Sequence, residues 1–104
     1  MNENSPALQK KSVPDIPIDI TGMCPNGDEA WTLLQYMTTE HGSVVKLEIW
    51  SRKKGKLVDS SAFIYSLMGE DGLVCSLRFR ELAQRSGIDP KKLARIIFQN
   101  VPTN

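Results

Sequence analysis

The side chains best able to do chemistry in this chain are cations, and they cluster near its end. Of the 13 Lys and Arg residues, Arg78, Arg80, Arg85, Lys91, Lys92 and Arg95 fall in residues 76–104, opposed there only by Glu81 and Asp89. That segment carries +4, whereas residues 1–40 carry −4 and residues 41–75 carry +1. A basic terminal quarter is what a phosphate-binding surface needs, and a solvated helix face accounts for the same charges. A second basic group, Arg52, Lys53, Lys54 and Lys56, surrounds Gly55. It reads either as a wing that touches a nucleic-acid backbone or as the charged end of an exposed hairpin.

Other chemistry finds little support. Cys24 and Cys75 are far apart and His41 is the single histidine, so the paired short ligand spacings of a zinc site are missing and no metal is expected. The cysteines are expected to be free thiols, with Cys75 as a small buried hydrophobe. His41 at a helix end is better placed to meet the last carbonyls than to act as a catalytic base. There is no Ser–His or Cys–His constellation, glycine-rich phosphate loop or acid pair in a pocket, so neither an enzyme nor a cofactor is expected. No apolar stretch approaches membrane-spanning length and the polar N-terminus lacks a signal-peptide core, so a cytoplasmic protein is expected.

The elements that would position the cations can be read along the chain. With 104 residues and 40% apolar content, one small domain is expected, built as α+β but mainly helical. Residues 1–14 read as a disordered tail, leaving residues 15–104 as the domain. Asp15 to Ile20 alternates and suits a short edge strand or an extended strap. Ala30, Leu33, Leu34 and Met37 recur at i, i+3, i+4 and i+7, which predicts a helix over 29–40 capped by Asp28. Ser43 to Trp50 alternates as a half-buried strand, and Leu57-Val58 could begin its return in a β-hairpin. Asp59 or Ser60 could then cap a short helix ending at Met68, with Gly69 in the positive-φ position; a strand through Ala62–Leu67 competes. Leu73, Cys75, Leu77 and Phe79 alternate briefly before the last helices.

Residues 80–100 hold several agreeing signals. Ala83 is small enough for a close helix crossing, and Gly87 can take positive φ and end the first helix. Ile88 can plug the angle between the helices. Asp89 is an N-cap, Pro90 suits the first helical position, and Leu93 with Ile96 or Ile97 returns to the core. Leu82, Ala83, Gly87, Ile88, Leu93 and Ile96 resemble the helix-turn-helix of repressor families, over about the last fifth of the chain. The resemblance implies that residues 90–100 enter the major groove of double-stranded DNA to regulate transcription. Lys91, Lys92, Ala94, Arg95 and Gln99 would face outward. Lys91 and Arg95 are the candidates for base contacts, since both can donate to guanine O6 and N7, and Lys92, Arg85 and Gln84 for phosphates. A helical hairpin that binds a protein partner is the alternative.

Leu73-Val74-Cys75-Ser76-Leu77-Arg78-Phe79 also looks similar to a segment of the D subunit of the flagellar master transcriptional regulator. That resemblance implies a small all-helical homodimer acting with a second regulatory subunit. The strand pattern of the N-terminal half departs from it. Two terminal helices cannot bury their own core face, so they need cover. The 29–40 helix, with Trp31 and Leu34, is the expected cover, and a homodimer would double the phosphate contacts on a palindromic site.

Overall fold

The computed structural model describes residues 16–102; the proposed tail at residues 1–14 lies outside them. Four strands come first: β1 (Ile18–Asp19), β2 (Ala30–Thr39), β3 (Gly42–Ser51) and β4 (Lys56–Phe63). They form one antiparallel sheet in the order β1-β2-β3-β4, with a one-turn 3-10 helix, Thr21–Met23, after β1. Three helices follow: α1 (Tyr65–Cys75), α2 (Leu77–Ser86) and α3 (Pro90–Gln99).

The sheet overturns the expectation of a mainly helical protein, because strand and helix are present in similar amounts. The decisive segment is β2. Its Ala30, Leu33, Leu34 and Met37 satisfy a helical period, but Thr32, Leu34 and Tyr36 satisfy a strand period equally well, and those are the buried positions. β2 pairs with β3 along its whole length, from Ala30 opposite Ser51 to Thr39 opposite Gly42. Aromatic and β-branched residues (Trp31, Thr32, Tyr36, Thr38, Thr39) fit a pleated surface, so pairing prevails over the helical spacing.

The β3 strand matches its alternation, and the return strand β4 extends to Phe63. No helix therefore begins at Asp59 or Ser60; the competing strand through Ala62–Leu67 is met only at Ala62 and Phe63, where β4 ends, and α1 starts at Tyr65. Gly69 does adopt positive φ (73°), but helical turns resume beyond it, so it kinks α1 rather than ending it. The alternating run through Leu73 and Phe79 is helical, and Cys75 is exposed while Cys24 is buried. Ile18 and Asp19 pair with Leu34 and Leu33, so an edge strand forms at those two residues of the expected 15–20 segment. An α/β two-layer arrangement of this kind also departs from the all-helical fold implied by the flagellar-regulator resemblance.

All three helices lie on one face of the sheet. Leu34, Tyr36, Val45, Leu47, Ile49 and Phe63 from the strands share a core with Leu73, Phe79, Leu82, Leu93 and Ile97 from the helices. The aromatic rings meet edge to face, Tyr36 on Tyr65, Tyr65 on Phe98, and Phe63 on Phe79, the geometry their quadrupoles favour. Cover for α2 and α3 thus comes from the sheet and α1. Leu34 contributes to it; Trp31, three residues earlier on the same strand, faces the other side of the sheet.

Candidate functional site

The Ser76 side chain caps α2 by accepting from Phe79 N–H at 3.2 Å. At the far end Gly87 sits in the left-handed region (φ 74°, ψ 24°), and the Ile88 and Gly87 N–H groups reach back to the carbonyls of Ala83 and Gln84, each at 3.0 Å. These bonds satisfy carbonyls that the helix end leaves open. Asp89 then caps α3, its carboxylate accepting from Lys91 N–H (3.0 Å) and Lys92 N–H (3.3 Å), with Pro90 in the first turn. Ala83 is fully buried and Ile88 nearly so. Two helices therefore flank a short buried-side turn, each ended by residues next to it in the chain.

Burial of Leu93, Ala94, Ile96 and Ile97 turns the remaining positions of α3 outward. Lys91, Lys92, Arg95 and Gln99 all come to the surface, along a shallow concavity that they line with Asp89 and Ile96. Ala94 was expected among the outward positions and is instead completely buried; at 94 a side chain lies next to Leu93 and Ile97 on the packed face. Arg95 lies 3.9 Å from Glu70 of α1, with both side chains largely in solvent, a pair of little energetic weight. Among the described residues Lys91 and Lys92 form no ion pair.

The other candidate positions have different surroundings. Gln84 is exposed on α2. Arg85 is 2.9 Å from Asp59 on β4, which also binds Arg78 through both terminal nitrogens. Arg78 goes on to the Ser60 carbonyl and to Glu81. The Arg78 hydrogen bonds, then the Arg85 charge, hold the Asp59 carboxyl below its ordinary range against the opposing effect of burial. Arg85 is thus a structural cation first, even though much of it remains in solvent.

The basic turn sits at the end of the β3–β4 hairpin, with Arg52, Lys53, Lys54 and Lys56 exposed. Arg52 is tied down: its Nε donates to the Gly27 carbonyl at 2.7 Å and its guanidinium lies 5.2 Å from the Trp31 ring. The neighbouring Asn26 amide donates to the Arg85 carbonyl at 2.6 Å, and a methyl group on Gly87 would come within 3.0 Å of Asn26 Oδ1. The Cys24–Asp28 loop thereby brings the basic hairpin and the α2–α3 turn to the same end of the molecule. Burial there pushes the Cys24 thiol up.

Sequence reasoning missed Asn26, Asp59 and Tyr36 as organisers of this region. Tyr36 donates its hydroxyl to the Ile97 carbonyl at 2.5 Å, tying β2 to the last turn of α3. The signal for Asp59 was available only in part: it alternates with Ser61 and Phe63, which would flag an inward-facing acid once β4 was known to be a strand. Among the described residues no cluster of three or more His, Cys, Asp or Glu could hold a metal ion, and no helix is long and apolar enough to cross a membrane. The chain matches no known protein family, curated protein or solved structure.

Proposed function

We propose that this protein binds double-stranded DNA through α3 and regulates transcription, with Lys91 and Arg95 at base edges and Lys92, Gln84 and Gln99 at the backbone. What carries the reading is the ridge of Lys91, Lys92, Arg95 and Gln99, whose two lysines have no carboxylate partner among the described residues. A duplex needs such groups, because cations already neutralised by the protein release no counterions on binding. The compact turn at Gly87 supports it further, since a major groove admits a helix only when the neighbouring chain stands clear. Lys53 and Lys54 at the same end of the molecule would add backbone contacts; Arg85, bound to Asp59, would add less than its charge suggests.

The test is duplex binding at two salt concentrations for wild type, Lys91→Ala and Arg95→Ala. Each variant is expected to lose about 1–3 kcal/mol of affinity, and loss of a phosphate contact lowers the salt slope by about one. Unchanged binding by both variants would remove α3 as the recognition element. A protein partner for the same helices is the second reading, favoured by Leu67 on α1 and Leu77 on α2, which leave about three-quarters of their surface in solvent (76% and 75%). Absence of any duplex binding at low salt would transfer the function to that partner.

A further inference from the structure

The face of the sheet turned away from the helices is unusually apolar for a solvated surface. An antiparallel sheet with one open face ordinarily alternates apolar inward with polar outward. Here the outward positions of β2 and β3 include Trp31, Leu33, Met37 and Trp50, half-buried and outside the core cluster, together with Val44, which is itself buried. Trp31 stands directly opposite Trp50 at one end, and Met37 directly opposite Val44 at the other. Between them lie Leu33 and Gln35 on β2, opposite Glu48 and Lys46 on β3; Lys46 and Glu48 are 3.1 Å apart, with Glu48 also accepting from the Trp50 indole N–H at 3.1 Å.

We propose that this face is the contact between two copies of the chain, packed sheet to sheet about a two-fold axis that runs across the strands. The choice of occupant follows from charge. Lys46 is already neutralised by Glu48, so the centre of the face offers an anionic nucleic acid nothing, whereas a second copy brings the same pair in reverse. The choice of axis follows from the register. An axis across the strands at the level of Leu47, which faces Leu34 on β2, reverses strand direction. Lys46 then lies over the second copy's Glu48, Trp31 over its Met37, and Trp50 over its Val44. Large rings meet smaller aliphatic side chains, and sulfur meets an aromatic ring, a favourable contact. An axis along β3 would instead stack Lys46 on Lys46 and Trp50 on Trp50. The strands are within the alignment that face-to-face sheets adopt, about 10 Å apart. Strands of 10 residues span about 33 Å, so the face is small by the standard of stable interfaces, roughly 800 Å² per partner, and the dimer dissociates on dilution.

Sedimentation equilibrium across the micromolar range tests this without any duplex present, so its outcome is independent of the DNA-binding reading. Wild type is expected to shift from monomer to dimer. Lys46→Glu and Glu48→Lys each set like charges against each other across the axis and are expected to weaken association by at least about tenfold. An equimolar mixture of the two is expected to recover the dimer, because each chain then meets its opposite; a charge effect within one chain could not be repaired by mixing. Leu33→Lys, with no complement, is expected to weaken association and stay weak in any mixture. Circular dichroism melts identify any variant that fails to fold. A wild type that stays monomeric throughout overturns the proposal, whether acrylamide finds its tryptophans accessible or shielded by other residues of the same chain. A mixture that stays monomeric while wild type dimerises overturns the arrangement.

Discussion

The sheet and the α2–α3 pair are built on opposite plans. Every residue of β2 finds its hydrogen-bonding neighbour on another strand, between 3 residues away (Thr39 and Gly42) and 21 residues away (Ala30 and Ser51). The two terminal helices close their bonds internally and are ended by adjacent residues, Ser76, Gly87 and Asp89. What joins the two regions, beyond apolar packing, is a handful of polar ties. Asp59 holds Arg78 and Arg85, the Tyr36 hydroxyl reaches Ile97, and Thr32 donates to Ser86 at 3.4 Å in the buried seam. Arg78 and Arg85 of α2 are therefore turned to structure, while the cations of α3 are left to the surface. A locally specified unit fastened by a few long-range contacts can keep its outer face unengaged without loss of stability.

That contrast predicts that cutting the charged tie at Asp59 costs more than disturbing the turn. Asp59→Asn is expected to have the largest effect, because it strands two arginines at once, and its Tm should fall below those of the other variants discussed here. Its pH dependence carries the sign. The carboxyl titrates lower in the folded chain than its unfolded value of about 3.9, so its stabilisation is fully present above that value. It is lost as pH falls through the depressed folded value. Urea melts from pH 7 downward should show an acid-side loss in wild type that is shallower in Asp59→Asn; parallel curves would mean the carboxylate is not the tie.

Gly87→Ala comes next. A side chain in the left-handed region costs about 1–2 kcal/mol, and the added methyl would press on Asn26. Denaturant titration should show that loss, with duplex binding reduced only as far as the α2–α3 angle changes. The smallest effect is expected from Tyr36→Phe, about 1 kcal/mol for one hydrogen bond. The Ile97 carbonyl keeps the longer bond from Asn100 N–H (3.3 Å), which limits the damage. If Tyr36→Phe proves costlier than Asp59→Asn, the hydroxyl tie from β2 to α3 outweighs the carboxylate tie from β4 to α2.

The comparison also explains which parts of the molecule could be read in advance. The ends of α2 and α3 follow from residues within four positions of each other, so Gly87, Asp89 and Pro90 announce them. The exposed ridge follows as well, because burial of Leu93, Ile96 and Ile97 orients everything else on a short helix. Ala94 escaped because a small residue beside the packed stripe carries no polarity to show which way it points. β2 was misread because its apolar residues fit both a 3.6-residue and a 2-residue period, and only the partner strand distinguishes them. The short helix placed after Asp59 failed for the same reason: an acid at a chain position that suits a cap also suits a strand edge.

From its residues alone this chain determined where α2 ends and where α3 begins and ends, that its middle holds a hairpin, and which cations stand on α3. These are consequences of caps, glycine stereochemistry and alternation, all of which act over a few bonds. Tertiary structure decided that residues 30–39 are a strand, that Asp59 faces Arg78 and Arg85, and that Trp31 and Trp50 lie side by side on the sheet face away from the helices. Each of those depends on which distant segment supplies the missing hydrogen bonds or charges, a choice that is made only when the whole core closes.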